Sequence, residues 1–481
     1  MGGSPVSDEM HHSNSALGHV DVIRDPEVVN FLSSCQYRVD ISACSDAIET
    51  RLLDVSERVS ELNSGAILAT DGTLYESVVE KQFPTVRVGL IKVATVFLDL
   101  ASYQESRAEA RMFVDPIEIA DIRRKSQAFS VVLPGAGVLH PNFPDSRAFF
   151  RDTVFRLFCR DGLSSNGYSF YDTLVEMMSR MRMVGEFGGV RCVTFPKGTK
   201  SPVDNQKLAR DIHIPVEIGF IDGPGGRMYV TDRLRVHEAF SAEGSNRECF
   251  NRLLLVLKHL YMAHVIRILG MSDSFPADDL IVLMNGQLAV FGEPARFHEG
   301  IMGILHDARE SASRRGKVGP TVVGLSKSGK VFEHAKAIEP YLVGSGGGAR
   351  DGTWLLPVDD EYRDTVVQPA WEPRERNFGD ETYYGQNFVL RTRKGKVFDA
   401  CLAYPFRDKA PRGSFRERKV DVRLYGQTLD RMLSCIDLLQ MDLFGNAVSP
   451  VYLAEKYASI AHAPGGRTLD QFVREALRRI T

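Results

Sequence analysis

Two consecutive stretches, AILATDGTLYE at residues 66–76 and VRVGLIKVATVFLDL at residues 86–100, set the class of fold. Both are rich in β-branched and apolar side chains, which predicts two strands joined by a loop. Within the first stretch, Asp71-Gly72-Thr73 follows the apolar run, and we interpret it as the end of the strand before a tight turn. An Asp-Gly pair is common in plain turns. A carboxylate on a central strand is also held rigidly, so Asp71 is a candidate site residue.

Strands and helices alternate along the rest of the chain, which predicts an α/β fold. Further strands are predicted at residues 215–236 (a pair joined by GPGG), 279–292, 320–330, 388–392 and 397–406. Helices are predicted at residues 45–62, 146–185 (with a break near SSNG), 246–269 and over the last sixty residues.

The helix predicted at residues 45–62 has two interpretations. Its apolar side chains fall at helical spacing, and Ser45 is suited to cap its N-terminus. The helix either packs on the core of the chain or pairs with a second copy.

Composition limits the classes of function. The net charge is −3, so contact with nucleic acid has to come from local basic patches. Seven cysteines are scattered without a C-x-x-C pair, which argues against a zinc site or a disulfide framework. The first fifteen residues are polar, and no uncharged apolar run reaches the length of a membrane span. We therefore expect a cytoplasmic protein without a membrane partner.

Several segments, taken in their order along the chain, resemble the NurA family of nucleases. They are ATDGT (69–73) with VGLIKV (88–93), LIVLMNGQLAVFG (280–292), VVGLSKSGK (322–330), the late strands ending in YPF (404–406), and SPVYLAEKYASI (449–460). Each segment alone is weakly specific, and the resemblance covers residues 60–462.

The resemblance implies an RNase H-like mixed sheet core with surrounding helices and helical insertions. This NurA-like domain would span residues 66–462, after a mobile tail (1–20) and a helical segment (21–65), and before a C-terminal helix (463–481). It also implies Mn²⁺ or Mg²⁺, DNA as substrate, a homodimer, and a HerA-like hexameric ATPase as partner. The biological setting would be DNA repair or anti-phage defence.

Metal-dependent cleavage of DNA needs two or three converging carboxylates. The resemblance makes Asp71 and Glu248 metal ligands, although a solvated helix-face charge is an equal interpretation of Glu248. Asn285 stands where the family has an aspartate, and Tyr457 stands where it has a histidine, although Tyr457 also fits a half-buried aromatic. Ser449 replaces a tyrosine. Two functions therefore stay open: a nuclease that works with the ATPase, and a catalytically weakened subunit that guides DNA or regulates the ATPase.

A basic segment, PFRDKAPRGSFRERK at residues 405–419, is the candidate DNA contact. Phe406 and Phe415 interleave with its charges, and arginines with aromatics can bind phosphates and stack on unpaired bases. The alternative is a solvated loop or a docking surface. Its basic residues are Arg407, Lys409, Arg412, Arg416, Arg418 and Lys419, against Asp408 and Glu417.

Residues 324–331, GLSKSGKV, nearly match a P-loop. Val331 stands where a magnesium-binding hydroxyl is required, which argues against ATP binding here. By resemblance, Lys327 lies near DNA or the active site, and the alternative is a solvated lysine in a loop.

Overall fold

The structure is a computed structural model. It describes residues 25–35, 41–62, 65–80, 82–101, 103–104, 127–160, 168–223, 225–271, 277–343, 351–369, 377–441 and 447–459. The predicted tail (1–20), the C-terminal helix (463–481) and the helix break at SSNG (164–167) lie outside the described residues.

Strands and helices alternate in the described residues, as predicted. The strands are β1 (Leu53–Asp54), β2 (Ala66–Glu80), β3 (Phe83–Asp99), β4 (Gln127–Pro134), β5 (Val184–Phe187), β6 (Val190–Phe195), β7 (Ile212–Pro215), β8 (Phe220–Gly223), β9 (Gly226–Tyr229), β10 (Leu280–Asn285), β11 (Thr321–Ser326), β12 (Trp354–Pro357), β13 (Gly385–Arg391) and β14 (Val397–Ala403). The helices are α1 (Pro26–Ser34), α2 (Ile41–Arg51), α3 (Ser146–Phe158), α4 (Phe170–Arg180), α5 (Arg247–Gly270), α6 (Phe297–Ser313), α7 (Lys330–Val343), α8 (Asp360–Tyr362), α9 (Arg412–Arg418), α10 (Gln427–Leu439) and α11 (Ser449–Ala458).

A nine-stranded mixed sheet organises the chain, in the order β1-β12-β13-β14-β11-β10-β2-β3-β4. Strands β2, β10 and β11 run parallel, and β3 and β4 continue from β2 as an antiparallel meander. On the other side, β14, β13, β12 and β1 pair antiparallel. The predicted α/β class is confirmed, and β1 places residues of the N-terminal segment in the same sheet.

Asp71 and Gly72 lie inside β2, so the predicted strand end and turn are wrong. They pair with Ala94 and Val93 of β3, and the ladder continues towards Glu80. Gly72 serves close packing instead. A Cβ atom there would lie 2.6 Å from Cδ1 of Leu254, on α5, so a larger residue would force this side chain to shift.

Helix α5 forms the centre of the helical layer. It packs on β2 and β3 and contacts α4 and α6. Among the described residues it is the one helix long and apolar enough to cross a membrane, and 61% of its most apolar stretch is buried inside the protein. That degree of burial is typical of a core helix.

The helix predicted at residues 45–62 ends early, at Arg51. Leu53 and Asp54 pair with β12, and that ladder takes the backbone hydrogen-bonding groups that a longer helix would use. Ile48 packs in a small cluster with side chains of α7, and Val55 packs in the main core. The interpretation of these apolar residues as core is confirmed for both.

Candidate functional site

The candidate site lies where the parallel strands end. Asn285 is the last residue of β10 and Ser326 is the last residue of β11, while β2 runs past both. In sheets of this kind, ligands usually bind beyond the carboxyl ends of the parallel strands. The polar side chains at this edge form two groups, one around Asp71 and one around Asp399.

Asp71 forms a closed set of contacts with Lys258 and Asn285. Its Oδ1 accepts a hydrogen bond from Lys258 Nζ at 3.0 Å, and its Oδ2 accepts one from Asn285 Nδ2 at 2.9 Å. Lys258 Nζ also donates to the backbone oxygen of Asn285 at 2.8 Å. The side chains of Asp71 and Lys258 are 8% and 12% exposed. An ammonium group therefore neutralises the carboxylate in a nearly closed environment.

The helix α5 brings Lys258 to this position. Lys258 lies one turn after Leu254 on the same face, and Cδ of Lys258 passes 3.4 Å from the place where a Cβ of residue 72 would stand. The pairing of β2 with β10 stops at Thr70, so the edge of β2 is free at Asp71. The sequence prediction missed Lys258, and its signal was a lysine among the apolar residues in the middle of this helix.

The metal predicted for Asp71 does not fit the side chains around it. A divalent ion there would have to displace both Lys258 and the Asn285 amide. Among the described residues, Asp71 belongs to no group of three His, Cys, Asp or Glu side chains whose ligand atoms lie close together. One carboxylate with a bound ammonium does not match the two or three acids that metal-dependent hydrolysis needs.

Glu248 does not converge with Asp71. It lies in the first turn of α5, its side chain is 73% exposed, and it pairs with Arg252. Ten residues separate it from Lys258, which corresponds to roughly 15 Å along the helix axis. The structure therefore agrees with the solvated interpretation of Glu248, and it does not place this residue beside Asp71.

A group of three potential ligands occurs elsewhere, on α6. His306, Asp307 and Glu310 place their ligand atoms within 4.8 Å of one another. Asp307 already pairs with Arg180, and Glu310 pairs with Arg314. Acidic groups of this kind are common on helix surfaces without an ion, so the group is not a metal centre on this geometry alone.

Asp399 is the second acid at this edge, and the sequence analysis missed it. It is buried in β14, where Gln287 donates to Oδ2 at 2.8 Å and Asn387 donates to Oδ1 at 3.1 Å. Burial raises the pKa of Asp399 to about 6, against hydrogen bonds from Asn387, Gln287 and Ser326 that lower it. An aspartate inside the buried run VFDACLA was the available signal.

Asp399 and Asp71 are too far apart to share one ion. The strands β10 and β11 lie between β14 and β2, so three strand spacings separate the two backbones. Three spacings correspond to roughly 14 Å. The two acids are therefore separate features of one sheet edge.

The C-terminal segment of the resemblance lies on the sheet. Helix α11 packs on β2 and β3, and Tyr457 is partly buried against the main core, which agrees with the half-buried aromatic interpretation. Ser449 donates through Oγ to the backbone oxygen of Leu439. Lys327, in the loop after β11, forms an ion pair with Glu455 of α11. Lys327 is therefore a link between loop and helix rather than a solvated lysine.

Several side chains of the basic segment 405–419 form contacts within the chain. Lys419 is 1% exposed and pairs with Asp360, so its predicted contact with DNA is wrong. Lys409 donates to two backbone oxygens, of Gly379 and Asp380. Phe415 is fully buried, which prevents it from stacking on a base.

The remaining arginines of this segment differ in their surroundings. Arg418 lies 4.3 Å from the ring centre of Phe406 and donates to the backbone oxygen of Ala410. Arg407 and Arg416 are exposed. The side chain of Arg412 lies outside the described residues. Among the side chains of this segment that the structure describes, Arg407 and Arg416 stay candidates for phosphate contacts, and the DNA contact of Arg412 stays a prediction.

Comparison with known proteins finds a likeness among solved structures but not among protein families or curated proteins. No protein-family model matches the chain, and no curated protein matches it. Among solved structures, the chain is similar to the NurA nuclease from Sulfolobus solfataricus, over 98% of each chain, with 8% sequence identity and a TM-score of 0.35. A likeness at this level carries no argument about activity.

Proposed function

We propose that this chain is a NurA-like, DNA-binding subunit with a weakened metal site. Its role would be to guide DNA, or to regulate a HerA-like ring ATPase, rather than to cut DNA efficiently. The observation that carries this proposal is the position of Lys258 Nζ, which bonds both Asp71 and the backbone oxygen of Asn285. The lysine supplies the positive charge that a metal ion would otherwise bring to the carboxylate.

The substitution at position 285 supports the same function. The amide of Asn285 donates to Asp71, whereas an aspartate at that place would repel it and attract a cation. With Asp71 already paired, no net negative charge is left to hold Mn²⁺ or Mg²⁺ there. The meander of β2, β3 and β4, followed by β10 and β11 parallel to β2, is compatible with the proposed RNase H-like core.

A second candidate function is metal-dependent cleavage of DNA ends. One observation favours it: Asp71 lies on a central strand beside the free end of β10, at the sheet edge where ligands usually bind. For this function, Lys258 would have to leave Asp71 when the ion binds. The lysine side chain has a flexible stem, which makes that movement feasible.

Titration with Mn²⁺, followed by digestion of linear and single-stranded DNA with and without the ring ATPase, distinguishes the two functions. We expect the parent chain to bind Mn²⁺ weakly and to leave DNA intact. Cleavage by the parent that disappears in Asp71→Asn would establish the nuclease instead. Asn285→Asp combined with Lys258→Met should increase Mn²⁺ affinity. Lys317→Met is the control, since it removes a lysine from an exposed pair with Asp279.

Homodimer formation and docking on a HerA-like hexamer are part of this proposal. A chain with a net charge of −3 gains little from bulk attraction to DNA, and a motor that holds DNA beside it supplies local concentration. Mass measurement in solution tests the dimer, because a concentration-independent mass near 53.6 kDa would exclude it. Co-purification with a co-expressed ring ATPase at low salt tests the partner.

A further inference from the structure

A cleft of about 760 Å³ opens beside the loop that follows β10. Two consecutive 3₁₀ turns, Val230–Leu234 and Val236–Ala239, form one wall, and the start of α6 forms another. A second cleft of about 600 Å³ adjoins it and also contains Arg407. The two clefts share His298, Glu299 and Asp380.

Several acids of the larger cleft are already neutralised by arginines. Each of these acids has its own guanidinium partner, and the Asp232 pair is buried and bidentate. The pairs are Asp232 with Arg151, Glu238 with Arg235, and Glu293 with Arg252. These carboxylates are therefore not free to balance a further cation in the cleft.

Arg233 is such a cation. Within the described part of the chain it forms no ion pair, and its Nε atom is buried without a hydrogen-bond partner. Its guanidinium lies 5.3 Å from the ring centre of Phe195, which holds the group in place. Burial, together with the neighbouring charges of Arg296 and Arg235, lowers the pKa of Arg233 to about 10. Arg235 and Arg296 have acidic partners, Glu238 and Glu299, whereas Arg233 has none among the described residues.

The backbone at this place is strained. Arg235 has φ +59° and ψ 10°, a left-handed conformation that a long side chain rarely adopts. This residue joins the two 3₁₀ turns, and two hydrogen bonds to Glu238, of 2.6 and 2.8 Å, hold its side chain. Strained residues of this kind cluster at ligand-binding sites, where surrounding contacts enforce them.

We propose that the larger cleft binds a phosphate group, with Arg233 and Arg296 as its charged donors. Guanidinium groups match the geometry of phosphate oxygens, and a bound anion would supply the counter-charge and the acceptor that Arg233 lacks. The cleft has the size of a typical small-molecule site, so a nucleotide fits as well as the phosphorylated end of a strand. Binding of a phosphorylated DNA end rests on the proposed DNA function, whereas binding of a free nucleotide does not.

The test is calorimetric titration of the full chain in EDTA with four probes: inorganic phosphate, deoxyadenosine monophosphate, and a short single strand with either a 5′-phosphate or a 5′-hydroxyl. We expect Arg233→Met to weaken binding of the phosphorylated probes roughly ten- to a hundred-fold, the loss of one or two charge-assisted hydrogen bonds. Arg423→Met, at an exposed pair with Asp421, should bind as the parent does.

The outcomes separate the sources of the phosphate. Tighter binding of the 5′-phosphorylated strand than of the mononucleotide identifies a strand end, and equal or weaker binding identifies a free nucleotide. The proposal is overturned if none of the phosphorylated probes binds, or if Arg233→Met binds them as the parent does. Should Arg233→Met fail to fold, Arg296→Met decides in its place, because its exposed side chain can be removed without loss of packing. Because the titration is carried out in EDTA, its result is independent of metal binding at Asp71.

Discussion

At Asp71 a buried charge is matched within the chain, whereas the partly buried charge of Arg233 is not. Asp71 has an ammonium group at 3.0 Å and an amide at 2.9 Å, so each of its oxygens has a donor. Arg233 has an aromatic ring, two neighbouring arginines and a buried Nε without a partner. Burying an unpaired charge is costly, and pairing it removes most of that cost. The Asp71 carboxylate therefore has all its partners within the chain, whereas the Arg233 guanidinium lacks an acceptor that a ligand would supply.

Lys258→Met should have the largest effect on stability. It leaves the Asp71 carboxylate buried without its cation, and we expect a loss of about 3 kcal/mol in the free energy of unfolding. Chemical denaturation measures the loss. The double variant with Asp71→Asn should recover most of it, because no unpaired charge remains. If Lys258→Met is as stable as the parent, the Lys258 ammonium group does not stabilise the buried Asp71 carboxylate.

Asp399 sharpens the comparison, because neutral donors rather than a lysine hold this buried acid. Its folded-state pKa of about 6 lies above the value of 3.8 for a free carboxyl. Its contribution to stability is therefore complete below pH 3.8 and is lost as the pH rises through 6. The loss should be of the order of 1 to 3 kcal/mol. Chemical denaturation at pH 4 to 7 measures this loss of stability. Asp399→Asn should flatten the profile of stability against pH in this range. A variant with the same profile as the parent would contradict the role of Asp399.

Arg233→Met should change stability in the opposite direction from Lys258→Met. Removing an unmatched cation relieves its desolvation and the repulsion from Arg296, so we expect a gain of up to about 1 kcal/mol without ligand. Thermal unfolding in phosphate-free buffer measures it. A clear loss of stability would mean that the Arg233 charge is satisfied within the chain.

Arg407 and Arg416 should have the smallest effects. Each is exposed, and replacement by alanine should leave stability unchanged. If they contact DNA phosphates, each replacement should reduce the slope of log affinity against log salt by about one. Filter binding over a series of salt concentrations measures the slope. An unchanged slope would leave both arginines as solvated side chains.

Local sequence patterns predicted the strands better than the site. The apolar runs around β3, β10 and β14 are long and regular, so period and composition were enough to find them. The predicted turn at Asp71-Gly72 was wrong because Gly72 is needed for packing against α5. That packing joins residues far apart in the chain, so a local pattern does not reveal it. Lys258 and Arg233 were missed for a related reason: whether a charge is matched depends on tertiary neighbours.

The pairing of β2 with β10 has a consequence for how the chain is made. Strands β2 and β3 form a local hairpin, but the hydrogen bond between Asn285 and Asp71 joins residues 214 positions apart. Contacts of such long range form late in folding. During synthesis, the hairpin would emerge roughly 10 to 40 s before the strand that completes its edge. Over that interval the edge of β2 can pair with other strands, so the nascent chain is exposed to mispairing at the place where its candidate site later forms.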